Sequence, residues 1–148
     1  MMRQLHILLV EDNEGDIFLT REALDETKKI RKVTVVNDGD EAINFLDSLD
    51  DKQDLDYPDF VFLDINLPKR NGHEVLQYIK SSTNLRHIPV MILTTSSYEN
   101  DINLAYQNYA SAFITKSVEV DQFINDIGKI IDCWTVVQLP TINKRETF

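Results

Sequence analysis

Five short runs, apolar at nearly every position, constrain this chain more than any other feature. Residues 5–10, 33–36, 60–63, 90–93 and 112–115 have strand length and are rich in Val, Ile, Leu and Phe. Ile7-Leu8-Leu9-Val10 and Phe60-Val61-Phe62-Leu63 are apolar throughout. A strand with one wet face alternates in polarity. An unbroken apolar strand needs cover on both faces, as in a parallel sheet between two helical layers.

Amphipathic stretches separate the runs. Ala42, Phe45, Leu46 and Leu49 share one helical face after Asp38-Gly39, and Val75, Leu76 and Ile79 repeat the pattern after Asn71-Gly72. The last helix is the clearest, with Val120, Phe123, Ile124, Ile127, Ile130, Ile131 and Trp134 at 3/4 spacing. Alternating strands and helices predict right-handed βαβ crossovers in one open parallel sheet. Five of each fill residues 5–134, so residues 1–134 read as one domain and 135–148 as a tail. Residues 47–59, with six aspartates and Pro58, read as an acidic, solvated connecting loop.

Composition excludes several classes of function. The 148 residues carry a formal charge of −10, and 43% are apolar. At this length a chain buries roughly 68–70% of its unfolded surface, enough for a core without staples. Net acidity gives no electrostatic footprint for nucleic acid. A single cysteine, Cys133, rules out an intramolecular disulfide and a cysteine-cluster metal site, and it reads as a helix-end residue. His6, His73 and His87 lack ligand spacing. The absence of a cleavage signal or a run of ~20 apolar residues points to a cytoplasmic protein that neither enters nor binds a membrane. The acidity is uneven, with 17 acids against 6 bases in residues 11–64 and 8 against 9 elsewhere.

In an open parallel sheet, function gathers at the carboxyl ends of the strands. Glu11 and Asp12 follow the first run, Asp64 and then Asn66 the third, Thr94 the fourth and Lys116 the fifth. Two carboxylates about 4 Å apart repel by ~4 kcal/mol at an effective dielectric near 20. A hard divalent cation relieves that repulsion, and magnesium takes one or two carboxylates together with a phosphate. Lys116 adds a point charge and Thr94 a hydroxyl, which together suit a phosphoryl group carried on a carboxylate. Each residue alone has a plainer reading. Glu11 and Asp12 would cap the first helix, Asp64 would open a turn, Thr94 would cap a helix and Lys116 would be solvated.

The runs Ile7-Leu8-Leu9-Val10-Glu11-Asp12-Asn13, Phe62-Leu63-Asp64-Ile65-Asn66-Leu67-Pro68 with Gly72, Leu93-Thr94-Thr95-Ser96 and Ile114-Thr115-Lys116 resemble a response-regulator receiver domain of the CheY-like superfamily. The resemblance spans residues 5–134, and the spacings of 52, 30 and 22 from Asp12 through Asp64 and Thr94 to Lys116 make it specific. Glu11-Asp12-Asn13-x-Gly15-Asp16, Asn66-Leu67-Pro68-Lys69 and Ile114-Thr115-Lys116-Ser117 are most similar to single-domain regulators serving bacteriophytochrome-type histidine kinases.

The resemblance implies a flavodoxin-like, doubly wound (βα)5 fold with a five-stranded parallel sheet in the order 2-1-3-4-5. It implies a bacterial two-component signalling protein rather than an enzyme, limited to its own phosphorylation and dephosphorylation. Asp64 would accept a phosphoryl group from a histidine kinase or phosphotransfer protein. Asp12, Asp64 and the Asn66 carbonyl would hold Mg2+, with Glu11 acting mainly through water. Thr94 would move toward the phosphoryl group, Lys116 would pair with it, and Phe113 would turn inward by packing alone. For Phe113 an ordinary core position stays open.

The chain departs from the family at three places. Ser117 stands where proline usually follows the lysine, leaving that peptide's geometry open. Tyr109 replaces a helix-ending glycine, which makes Asn108 the expected C-cap. Thr95 is larger than the usual small residue and would narrow access for small phosphodonors.

The chain ends 14 residues after Trp134, so the expectation is a receiver without an output domain, acting by binding. Tyr98, Tyr106 and Tyr109 are expected to be exposed on the face of helix 4, strand 5 and helix 5, with Val136, Val137 and Leu139 extending an apolar edge beyond Trp134. A homodimer through that face is expected. Two rival functions remain: a degenerate receiver that only binds proteins, and a haloacid-dehalogenase-type phosphatase, for which Asn66 cannot be the second, acid-donating aspartate.

Overall fold

Alternation along each buried strand sends successive side chains to opposite faces of the sheet, and both faces are covered. The computed structural model describes residues 4–50 and 56–137. In chain order the elements are β1 (Leu5–Val10), α1 (Glu14–Glu26), β2 (Ile30–Val36), α2 (Gly39–Asp50) and β3 (Phe60–Leu63). They continue as α3 (Gly72–Ser81), β4 (Val90–Thr94), α4 (Glu99–Gln107), β5 (Ala112–Thr115) and α5 (Val120–Val136). The sheet runs β2-β1-β3-β4-β5, with every neighbouring pair parallel.

Leu8, Val10, Val61, Leu63, Val90 and Ile92 form one buried layer with Leu46, Leu49, Val75, Leu76 and Ile79 of α2 and α3. Leu5, Ile7, Leu9, Phe60, Phe62 and Leu93 form the opposite layer with Leu24 of α1 and Phe123, Ile127 and Ile131 of α5. Phe60 and Phe62 meet edge to face with ring centroids 5.3 Å apart. Trp134 tilts onto Phe60 with centroids 6.1 Å apart, which closes the end of the α5 layer.

Three boundaries differ from the expected ones. β2 begins at Ile30 rather than Val33, because Leu5 pairs with Ile30 across an irregularity in the register. Arg31 and Lys32 interrupt the apolar run, yet an edge strand can hold them at solvent, where both reach Asp56 at 2.7 and 2.8 Å. α2 continues to Asp50, so the first part of residues 47–59 is helix and not loop; Leu46 and Leu49 keep it on the core. Asp56 and Asp59 are also more than solvated surface. Asp59 accepts the backbone N–H of buried His6 at 2.8 Å, and Asp56 lies 3.2 Å from the His6 Nδ1. α5 carries two residues, Thr135 and Val136, past the expected boundary. Leu139 and the rest of the expected tail beyond 137 lie outside the described residues.

α4 ends as expected at Asn108, and Tyr109 itself takes the left-handed conformation, with φ 68°. The Ala110 N–H reaches the Ala105 carbonyl at 3.0 Å and the Tyr109 N–H reaches Tyr106 at 3.0 Å, the two bonds of a Schellman motif. Tyr109 therefore occupies the position where glycine is free of steric cost.

Candidate functional site

The site is built by continuing the sheet's hydrogen bonding one step past the strands. The Glu11 N–H bonds to the Val36 carbonyl at 3.0 Å, Asp64 N–H to Val10 at 3.1 Å, and Lys116 N–H to Thr94 at 2.7 Å. Three chemically distinct residues thereby sit at one level of the carboxyl edge. Two glycines let the surrounding loops close in. A Cβ on Gly72 would lie 2.2 Å from the Asp64 carbonyl oxygen, and one on Gly39 2.1 Å from that of Arg70.

Lys116 is the centre of the cluster. Its buried Nζ donates to Glu11 Oε1, to Asp16 Oδ2 at 2.9 Å and to Asp64 Oδ2 at 3.2 Å. Burial alone would pull the ammonium down. The hydrogen bond to Glu11, the charge of Asp64 and the hydrogen bond to Asp16 outweigh it and hold Lys116 above its ordinary value. Burial pushes the Glu11 carboxyl up to about 7 against the pull of Lys116, and the charge of Asp64 adds to the rise. The other Glu11 oxygen accepts the N–H groups of Asp12 and Asn13 at 3.0 and 3.1 Å.

Both Glu11 oxygens are thus engaged inside the protein, whereas Asp12 is exposed. One oxygen from each of Glu11, Asp12 and Asp64 falls within 4.8 Å of the others, a donor set that fits a hard divalent cation. Asn66 is exposed two residues past Asp64, and its N–H points to Asp64 Oδ1 at 3.4 Å.

The plainer readings of two positions fail. Asn13, not Glu11 or Asp12, caps α1, its side chain accepting the Asp16 N–H at 2.9 Å. Tyr98, not Thr94, is the N-cap of α4. Thr94 is fully buried at the end of β4, where its Oγ1 accepts the Ser96 N–H at 3.4 Å. Phe113 is half-buried against the α2–α3 layer, and its N–H donates to the Tyr106 hydroxyl at 3.1 Å. Among the described residues no peptide bond is cis, so the Lys116–Ser117 bond is trans. Ser117 Oγ accepts the Glu119 N–H at 3.2 Å, which turns the chain into α5.

Asp16 is the site residue that sequence reasoning passed over. Its signal is the interval from Asn13: a cap that holds the first turn of α1 also presents the residue three further on to the sheet edge.

Residues 7–128 match the response regulator receiver domain. The chain belongs to that family. The response regulator Rcp1 of Synechocystis sp. is 35% identical over 135 residues, covering 90% of this chain and 92% of that protein. The crystal structure of the Mn2+-bound form of Rcp1 superposes with a TM-score of 0.83 at 35% identity, over 93% of this chain and 99% of the other. The phosphorylated cyanobacterial phytochrome response regulator RcpA gives 0.87 at 39% identity with the same coverage. The bacteriophytochrome response regulator AtBRR gives 0.69 at 39% identity, over 94% and 99%. The receiver is thus a two-component signalling protein of the CheY-like fold, similar to regulators of phytochrome systems. Among the described residues no helix is long and apolar enough to cross a membrane.

Proposed function

We propose that this cytoplasmic receiver takes a phosphoryl group on Asp64 from the phosphohistidine of a phytochrome-type histidine kinase or a phosphotransfer protein. In that step the P–N bond breaks with its electron pair going to the imidazole, a P–O bond to an Asp64 carboxylate oxygen forms, and the histidine, already protonated on its other ring nitrogen, leaves as neutral imidazole. Asp12, Asp64 and the Asn66 carbonyl would hold Mg2+, with Glu11 reaching it through water because its own oxygens are taken. The ion supplies positive charge against the carboxylates and the incoming phosphoryl oxygens. Lys116 pairs with the phosphoryl group, Thr94 moves toward it, and Phe113 follows by packing. No other reaction than the chain's own phosphorylation and dephosphorylation is assigned.

The observation that carries this reading is the convergence of Lys116 on Asp64, Glu11 and Asp16 beside an exposed Asp12. The test is incubation with a cognate kinase or a small phosphodonor and Mg2+. An acid-stable, base-labile phosphoryl group should appear on the wild type and be absent from Asp64→Asn. A group that persists in that variant overturns the assignment. The kinase arm is the stronger one, since Thr95 is exposed beside Thr94 and would narrow the approach of small donors.

The signal leaves through protein contacts. Tyr98 and Tyr109, at the two ends of α4, are 77% and 76% exposed, and Val118, just before α5, is 99% exposed. A second copy of this chain is the proposed partner there. Sedimentation should show a dimer at tens of micromolar, and a monomer with and without a phosphoryl mimic would count against it.

A further inference from the structure

Thr94, the residue assigned above to move on phosphorylation, stands at one end of a hydrogen-bonded chain that crosses three elements. Ser96 N–H points to Thr94 Oγ1 at 3.4 Å. Ser96 Oγ donates to Asp101 Oδ2 at 2.6 Å and accepts the Tyr98 N–H at 3.3 Å. The other Asp101 oxygen lies 3.0 Å from His73 Nε2. A carboxylate only accepts, so Nε2 is the donor, while the buried Nδ1 meets no hydrogen-bond partner. His73 is 9% exposed and follows Gly72, where any Cβ would lie 2.2 Å from the Asp64 carbonyl oxygen. The chain therefore runs from the loop after Asp64, through the first turns of α3 and α4, back to the residue that ends β4.

The local reason for the chain is the cap of α4. Tyr98 has no side-chain hydrogen bond of its own to offer the helix N-terminus. Ser96 instead accepts the N–H of the N-cap residue Tyr98 and is itself held by Asp101, the third residue of the helix, which reaches back over the first turn. His73 then fixes Asp101 from a different helix. Both hydrogen bonds pull the Asp101 carboxyl below its ordinary value, the Ser96 bond more strongly than the His73 bond. The carboxylate thus stays ionised and able to accept both.

We propose that His73, Asp101 and Ser96 are positioning residues forming a latch that holds the β4–α4 loop, and through it Thr94, in the resting arrangement. Phosphorylation has to shift that loop against the latch, so the latch sets the balance between resting and phosphorylation-competent arrangements. This rests on the assignment of Asp64 as the phosphoryl acceptor. None of the three residues touches Lys116, Glu11 or Asp16 in the hydrogen bonds of the cluster.

Loosening the latch raises the population of the competent arrangement, and labelling of Asp64 should accelerate in proportion. The loss of one hydrogen bond of this kind corresponds to roughly two- to tenfold. The experiment compares labelling rates with acetyl phosphate and Mg2+ for the wild type, His73→Leu, Ser96→Ala, their double variant and His73→Gln. Amide exchange over residues 95–101 is measured alongside.

The expected result is two- to tenfold faster labelling in each single variant, with faster exchange confined to that segment. The double variant should be no faster than the faster single, because both break one chain. His73→Gln, which keeps an N–H near the position of Nε2, should return the rate toward wild type, a rescue that a merely structural loss of packing would not show. Wild-type rates in both single variants, slower labelling, or additive effects overturn the latch alone. Absence of label on the wild type and every variant, with a phosphorylated cognate kinase as well as with acetyl phosphate, overturns the acceptor assignment and the latch together.

Discussion

Removing Lys116 gives the sharpest quantitative test of how the site is held. In Lys116→Met the side chain keeps its length and loses the ammonium that joins Glu11, Asp16 and Asp64. Carboxylates about 4 Å apart then repel by ~4 kcal/mol per pair at an effective dielectric near 20. Glu11 relieves part of this by taking up a proton, since burial already holds it at about 7 with Lys116 in place. Breaking a buried ion pair from one side costs about 3–5 kcal/mol net, a large share of the 5–15 kcal/mol typical of a domain. Urea unfolding followed by the lone Trp134, packed on Phe60, reads the loss directly. The midpoint should fall at an unchanged slope in metal-free buffer at pH 7.5. Mg2+ at a hundred times its dissociation constant should return about 2.7 kcal/mol if, as proposed, the folded carboxylates bind it. A variant within about 1 kcal/mol of wild type without metal, or one indifferent to Mg2+, would refute the idea that charge balance at this cluster supports the fold.

Three further outcomes are expected. Gly72→Ala should cost about 1–3 kcal/mol in urea unfolding and slow phosphoryl labelling, since its Cβ would sit 2.2 Å from the Asp64 carbonyl oxygen. Tyr109→Asn should raise the unfolding free energy by about 1 kcal/mol in urea titration, because Asn tolerates the positive φ of 68° that strains Tyr. Desolvation lowers the His6 imidazole, with Asp56 opposing, so its contribution to stability is present above about pH 6.5 and lost as pH falls below. Glu11, raised by burial, acts with the opposite slope, its contribution being lost as pH rises through about 7. The difference in urea midpoint between wild type and His6→Gln isolates the histidine and should shrink from pH 7.5 to 5.5.

The strands were legible because burial on both faces leaves an apolar record at every residue, as in Phe60–Leu63. Asp64, Thr94 and Lys116 could be placed by counting, since each directly ends or follows such a run. The errors fell where that record is diluted. Arg31 and Lys32 hid the start of β2, because an edge strand needs cover on one face only. Asp47 and Asp50 looked like loop, although the helical face beneath them continues through Leu49. The contact of Asp16 with Lys116 and the link from His73 to Asp101 were not legible, although the interval from Asn13 marks Asp16. Their partners lie 100 and 28 residues away along the chain, and single polar letters carry no period.

The two buried layers have a thermodynamic consequence of their own. A strand residue such as Val61 contributes to one layer, and its neighbour Phe62 to the other. Side chains in opposite layers are divided by the backbone of the sheet and belong to separate clusters. Cavities made on the two sides, for example by Leu46→Ala and Ile127→Ala, should therefore lower stability by amounts that simply sum, within about 0.5 kcal/mol. Pairs within one layer share neighbours and should not. The molecule is one cooperative fold, but its interior keeps two accounts that do not mix.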